Sequence, residues 1–455
     1  MISERFDGSS LLSINTATQG LVYSLFPSAL CCDRCLPMPN VRDKIYERVA
    51  RRDLSSLGCL VRKFTAPMNP TKRSLPALTG LRFFLALWVV IFHAFILRRE
   101  PLAIFGSAIR NIFLSGYAAV SVFFILSGFI LAYSYNLDHS WSKLEYGRFA
   151  VARFSRIYPS YLLGLLLVAP FEVLHLYHNW STVNGPVESL TAFLNFALLQ
   201  SWFPFAALTW NDPGWSLSNE AFFYVCFPLL GVLIWRAFTP ASLWATGSLL
   251  FTLSVIGPLI AVVLPIHGYG DISAVLPLNQ NTPAFGAVIN YNPLLRLPEF
   301  LVGILVCRIY FHLQECRVKM AGKGYWFYLP GLIIVLVTLS QSSVIPYPLM
   351  HQGLLSPAYA CIILGFALQG GWLDRFLSLP WLVFLGNASY SMYILHVPLR
   401  SWLGIGWKFT HSGLKTQAPF FVYLPALILM TSLNLIFIEE PLHKNLKRIL
   451  QRRLT

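Results

Sequence analysis

The sequence predicts an all-α integral membrane protein, a polytopic bundle of about ten transmembrane helices. Of its 455 residues, 56% are hydrophobic and only 12% are charged, against about 25% charged in an ordinary soluble domain. Several separate apolar stretches approach the ~20 residues that cross a bilayer as a helix. These runs do not alternate in polarity, so of the two architectures that satisfy the backbone in lipid, the helical bundle is predicted and the barrel is not. The formal charge of +15 does not argue for nucleic acid. In a polytopic protein Lys and Arg collect on cytoplasmic loops, where they set orientation.

Residues 1–74 contain no spanning run and no secretory signal pattern, and they read as a cytoplasmic extension, partly amphipathic or disordered. Within it, Val41, Ile45 and Val49 recur one helical turn apart among Arg42, Lys44, Arg48, Arg51 and Arg52, a basic amphipathic pattern suited to a lipid surface. Cys31, Cys32 and Cys35 hold a C-x2-C spacing with no second Cys or His pair, so no metal site is expected.

From residue 75 to about 445 the chain reads as one transmembrane domain. The expected spans are 79–97, 112–134, 157–176, 215–235, 242–264, 294–311, 326–341, 354–370, 380–402 and 419–438. The run 190–206 is apolar but short and carries Asn195, Gln200 and Pro204, so it is expected to lie at the surface or re-enter the bundle. Leaving it out of the count gathers Lys143, Arg148, Arg153, Arg156, Arg236, Arg308, Lys323, Arg375 and the basic tail 446–455 on one face. That face is then cytoplasmic, with both termini inside; Arg98, Arg99 and Arg110 fall outside, against the rule. Asn179-Trp-Ser on the outer side is a glycosylation sequon only in a lumenal loop of a eukaryotic protein.

Charged groups inside apolar runs are costly, about 2.5–3.5 kcal/mol for Arg on insertion scales, and mark functional paths. The first span, Leu78 to Phe95, contains Arg82 and His93. Eleven residues at 100° and ~1.5 Å each return the side chain to within about 20° of its starting direction, ~16 Å further along the axis. The two therefore share a face. RFSRIYP sets Arg153 and Arg156 on neighbouring turns just before a span, a pair suited to gripping phosphate or diphosphate. WSLSNEAFFYV carries Ser216, Asn219 and Glu220 into apolar sequence, and RLPEFLVG carries Arg296 and Glu299. His396, in NASYSMYILHVPL, is read as structural.

These segments in this order resemble the acyltransferase 3 family of multi-pass membrane O-acyltransferases. The resemblance rests on LTGLRFFLALWVVIFH with its Arg-x10-His spacing, SVFFILSGF, RFSRIYP, WSLSNE and RLPEFLVG. It implies an O-acyltransferase with acyl-CoA, acetyl-CoA in the first instance, as donor substrate, no bound cofactor and a hydroxyl of a sugar, lipid or other small molecule as acceptor. It implies that Arg82 and His93 are the pair required for activity. His93 would then serve as general base, Arg82 as the grip on the anionic donor, Glu220 as an orienting carboxylate, and Arg153, Arg156 and Arg296 as phosphate neutralisers. Ser216, Asn219 and Glu299 would support them. The same charged path through Arg82, His93 and Glu220 also suits a transporter or flippase, a class that commonly shows internal repeats. None is evident here.

Overall fold

The structure, a computed structural model, describes residues 74–95, 106–178, 185–236, 239–263, 284–315, 320, 322–410 and 420–453. The extension up to residue 73, Arg98, Arg99, Asn179 and the segment 264–283 lie outside the described residues. Among the described residues every regular element is a helix.

The amino-terminal half contributes α1 (Pro76–Phe95), α2 (Ser107–Phe113), α3 (Ala118–Ser134), α4 (Lys143–His178), α5 (Gly185–Phe196), α6 (Trp215–Trp235) and α7 (Pro240–Val263). The remainder forms α8 (Ala284–Tyr291), α9 (Pro293–Glu315), α10 (Tyr325–Ser340), α11 (Tyr347–His351), α12 (Ser356–Leu368), α13 (Trp372–Leu377), α14 (Pro380–Thr410), α15 (Phe420–Asn434) and α16 (Glu440–Arg453). Seven of the described helical segments are long and apolar enough to cross a membrane, and eight when α2 and α3 count as one bent span. The protein is thus a multi-pass membrane helical bundle.

Several expected spans take a different form. The stretch 112–134 is not one straight helix: α2 and α3 meet at 48°. Gly116 lies in the turn between them, where an added Cβ would come within 2.4 Å of Phe92 Cβ on α1, so the backbone bends where it presses on that helix. The third span begins at Lys143 instead of 157. Its 36 residues amount to about 54 Å of helix, longer than the ~30 Å hydrocarbon layer, so Arg153 and Arg156 lie on the same continuous helix that spans. Helix α10 is only 16 residues long. Helix α9 contains Arg296, Glu299 and Arg308 and is not among those seven segments, yet Phe300, Ile304 and Cys307 are all fully buried. Its charges face protein, as bundle-interior charges do.

The segment 190–206 folds back on itself. After α5, Gln200 is buried and donates to the Tyr161 hydroxyl (3.0 Å) and the Gly214 carbonyl (2.9 Å), and Ser201 donates to Asn219 Oδ1 (2.8 Å). At the other end of the chain a π turn, Leu435–Glu439, joins α15 to α16. It presents Glu439 to the interior, where Ser391 donates to it at 2.7 Å.

Loop contacts sort into two ends. Gln369 donates to the Ser74 carbonyl, Trp235 to Asp138, and Arg308 to the Trp235 carbonyl, all positions expected on one face. Asn111 donates to the Ser340 carbonyl, joining two positions expected on the opposite one.

Two close helix crossings hold the centre. A Cβ on Gly80 would lie 2.0 Å from the Leu377 carbonyl oxygen, and one on Gly386 2.0 Å from that of Thr79, which brings α14 and α13 against the start of α1. Between α3 and α9, a Cβ on Gly303 would lie 1.9 Å from the Ile125 carbonyl and one on Gly128 2.0 Å from that of Phe300. Small residues permit this approach. Gly303→Ala is therefore expected to destabilise the bundle by at least the ~1–3 kcal/mol of an overpacked core, read as a lower melting temperature of the detergent-purified protein. An unchanged melting temperature would mean that these backbones are not in contact.

Candidate active site

The first half of α1 opens onto a partly enclosed cavity of about 330 Å³. Its lining is drawn from segments far apart in the chain: Arg82 from α1, Ser127 from α3, Arg153 and Arg156 from α4, Ser216, Glu220 and Tyr224 from α6, Tyr390 and Tyr393 from α14, and His443 from α16. The sequence-predicted residues Arg82, Arg153, Arg156, Ser216 and Glu220 are thus brought together.

Several of these polar groups are held by neighbours. Arg153 donates to the Tyr135 hydroxyl (3.3 Å) and stacks over its ring at 5.6 Å. Glu220 accepts hydrogen bonds from Ser127 (3.0 Å) and from the Tyr224 hydroxyl, and it faces Arg82 together with Glu439. Glu439 also lies near Arg156. Three arginines against two carboxylates leave the cluster with one positive charge in excess. A partly enclosed, low-dielectric site with that surplus attracts an anion. Among the described residues no group of three or more His, Cys, Asp and Glu side chains is arranged to hold a metal ion.

His93 does not line this cavity. It sits eleven residues further along α1, ~16 Å away by helix geometry, with Nδ1 3.0 Å from the Val89 carbonyl oxygen. A carbonyl only accepts, so Nδ1 carries the proton and donates, and Nε2 is left as the lone-pair nitrogen. The His93 ring packs edge-on against Phe92 and lies 4.9 Å, centroid to centroid, from that of His396. Arg400 donates to the His93 carbonyl. The orienting group is therefore the backbone of its own helix and not Glu220, which is engaged at the other end of α1.

Between the cavity and the histidines stands Tyr393. It is a lining residue whose hydroxyl lies 2.9 Å from Ser216 Oγ, and its ring centroid is 6.2 Å from that of His396.

Arg296 and Glu299 lie elsewhere. Arg296 has no exposed surface; it pairs with Glu299 (3.1 Å) and donates to the His351 carbonyl (3.1 Å), Gln352 Oε1 (3.0 Å) and Ser121 Oγ (3.1 Å). Its guanidinium also lies over Phe124 and Trp215. Glu299 accepts from the Gly353 amide (3.1 Å). With both terminal nitrogens of its guanidinium committed to protein acceptors, Arg296 joins α9 to α3 and the 351–352 segment instead of lining the cavity. Asn219, fully buried, ties α6 to the folded-back segment through Ser201.

Sequence reasoning missed Tyr224 and His443 as lining residues. Tyr224 had a visible signal, one helical turn from Glu220 on the same face. His443 had none, since it lies in what reads as a basic tail.

The chain compares with known proteins as follows. The family profile described as Acyltransferase domain matches residues 75–439. Acyltransferase MdmB of Streptomyces mycarofaciens is 29% identical over 344 residues, covering 72% of this chain and 80% of that protein. O-acetyltransferase OatA of Staphylococcus aureus (strain NCTC 8325 / PS 47) is 23% identical over 406 residues, 82% of this chain and 58% of that protein. A putative O-acetyltransferase of Staphylococcus aureus (strain COL) is 24% identical over 414 residues, 83% of this chain. The chain spans about 60% of the length of that staphylococcal relative. No solved structure matches.

Proposed function

For a chain that belongs to the Acyltransferase domain family and is an O-acyltransferase, we propose that the donor is acyl-CoA, acetyl-CoA in the first instance. The acceptor is then a hydroxyl of a sugar, lipid or other small molecule, and His93 is the general base. The observation that carries this reading is the arrangement along α1: an arginine-lined cavity at Arg82, and an imidazole with a free Nε2 three turns further on.

In this reading Arg82, Arg153 and Arg156 hold donor phosphates by charge-assisted hydrogen bonds, and the thioester arm runs past Tyr393 and Ser216 toward His93. Neutral His93 Nε2 takes the acceptor hydroxyl proton as its oxygen forms the new bond to the acyl carbon. The carbon–sulfur bond breaks, the sulfur leaves with the electron pair, and the resulting thiolate takes up the proton that His93 has accepted. Glu220 balances the arginines and holds Tyr224 and Ser127. A direct transfer fits better than an acyl-enzyme, because Ser127 is bonded to Glu220 and Ser216 lies beside Tyr393 and the Pro213 carbonyl, with no imidazole paired to either.

The reading is tested by CoA release from acetyl-CoA with purified protein; no release with any hydroxyl acceptor would overturn it. Arg82→Lys keeps the charge but loses the planar fork that grips two oxygens. It is expected to raise the donor KM by about 10-fold, the size of one charge-assisted bond, with the protein still inserted. Normal donor kinetics would remove Arg82 from the donor site.

Orientation follows the charge rule, with both termini, Arg153 and Lys323 cytoplasmic and Ser343 outside. Single-cysteine labelling in sealed cells checks this. A membrane-impermeant reagent that reacts at 323 and not at 343 would invert it.

A further inference from the structure

His396 is 1% exposed, and its Nε2 is a buried polar atom with no hydrogen-bond partner. Its other nitrogen is committed, for Nδ1 lies 2.7 Å from the Tyr393 carbonyl on the same helix. Nδ1 therefore donates, and Nε2 is an acceptor without a donor. His93 repeats the arrangement on α1, with Nδ1 turned to its own helix backbone at Val89. In each ring Nε2 is the corner directed away from the parent helix.

The two rings lie 4.9 Å apart and are tilted by 56°. The backbone that carries each ring is also held: the Tyr423 hydroxyl donates to the His396 carbonyl (2.9 Å), and Arg400 donates to that of His93. A buried acceptor without a donor costs free energy that a bound O–H would recover. Beside it His93, half-buried and in the same tautomer, presents its own Nε2, so the pair offers two acceptors, of which that of His396 is the buried and unpartnered one. A compound with one hydroxyl can satisfy only one of them.

We propose that His396 is a second acceptor-binding residue, taking a hydrogen bond from the hydroxyl adjacent to the one that reacts, so that the site prefers a vicinal diol over an isolated alcohol. The proposal rests on the reading of His93 as the base that faces the reacting hydroxyl. On chemical grounds the acceptor class narrows to sugars, glycerol-type lipids and other polyols, in which two hydroxyls are held on adjacent carbons.

The test uses the purified full chain with acetyl-CoA and a matched pair of probes, trans-cyclohexane-1,2-diol and cyclohexanol, in wild type, His396→Ala and His396→Gln. CoA release should favour the diol by roughly 10-fold or more in kcat/KM, the size of one lost buried hydrogen bond. In His396→Ala that ratio should fall to about one, and His396→Gln, whose amide oxygen again accepts, should restore part of it. A general loss of folding lowers both rates and leaves the ratio alone. A wild-type ratio near one, or a ratio unchanged in His396→Ala, overturns the proposal. Melting temperatures taken with each probe separate this result from failure of the acyl-CoA reading. A diol-specific rise that disappears in His396→Ala supports the subsite even without CoA release. CoA release without discrimination between the probes removes the subsite and leaves the acyl-CoA reading standing.

Discussion

His93→Ala is expected to lower acyl transfer by a factor of about 10²–10⁴, the usual contribution of a positioned general base, while donor binding persists. The expectation comes from a separation within one helix. The arginine cavity and His93 share α1 but lie ~16 Å apart, and His93 is absent from the cavity lining. Removing the imidazole therefore leaves Arg82, Arg153 and Arg156 undisturbed. His93 is half-buried, so trimming it leaves a modest packing defect. The measurement is CoA release alongside donor binding by the same preparation. Near-normal turnover would end the general-base assignment, and loss of both activities would make His93 structural. Because the base works only as neutral imidazole, turnover of the wild type should fall on acidification as that nitrogen becomes protonated. A rate that rises toward acid would point to a required imidazolium instead.

Arg296→Met is expected to cost about 3–5 kcal/mol of stability, the penalty for stripping one partner from a buried ion pair. Glu299 would be left as a buried carboxylate beside the Gly353 amide, and the acceptors at Gln352, the His351 carbonyl and Ser121 would lose their common donor. Low recovery of monodisperse protein and a lower melting temperature should follow, with donor KM unchanged in whatever folds. The double variant Arg296→Met with Glu299→Leu should recover much of the loss, since replacing both members of a buried pair by apolar groups is often neutral. A raised donor KM in well-folded Arg296→Met protein would return this arginine to the donor site.

Arg82 and Arg296 illustrate how much of the site was legible. In the sequence each is a lone arginine near the start of an apolar helix, with an acidic group or a histidine at helical spacing. Helical periodicity states which side chains share a face of one helix, and that sufficed for Arg82 with His93 and for Arg153 with Arg156. It is silent on what the face meets. Arg82 meets a cavity, while Arg296 meets a carboxylate, a carbonyl, an amide and a hydroxyl, because the orientation of α9 is set by its crossing with α3 at Gly128 and Gly303.

The sequence by itself determined the membrane-helical class, the positions of most spans and the internal geometry of α1, since apolar length and a fixed rise and turn per residue are local properties. Only the tertiary structure decided that Glu220 faces Arg82 and not His93, that Tyr393 separates the cavity from the histidines, and that His396 stands beside His93. Glu220 with Arg82, Tyr393 with Ser216 and His396 with His93 are each brought together from more than a hundred positions apart. They are fixed by the depth and rotation of one helix against another, which no single helix encodes.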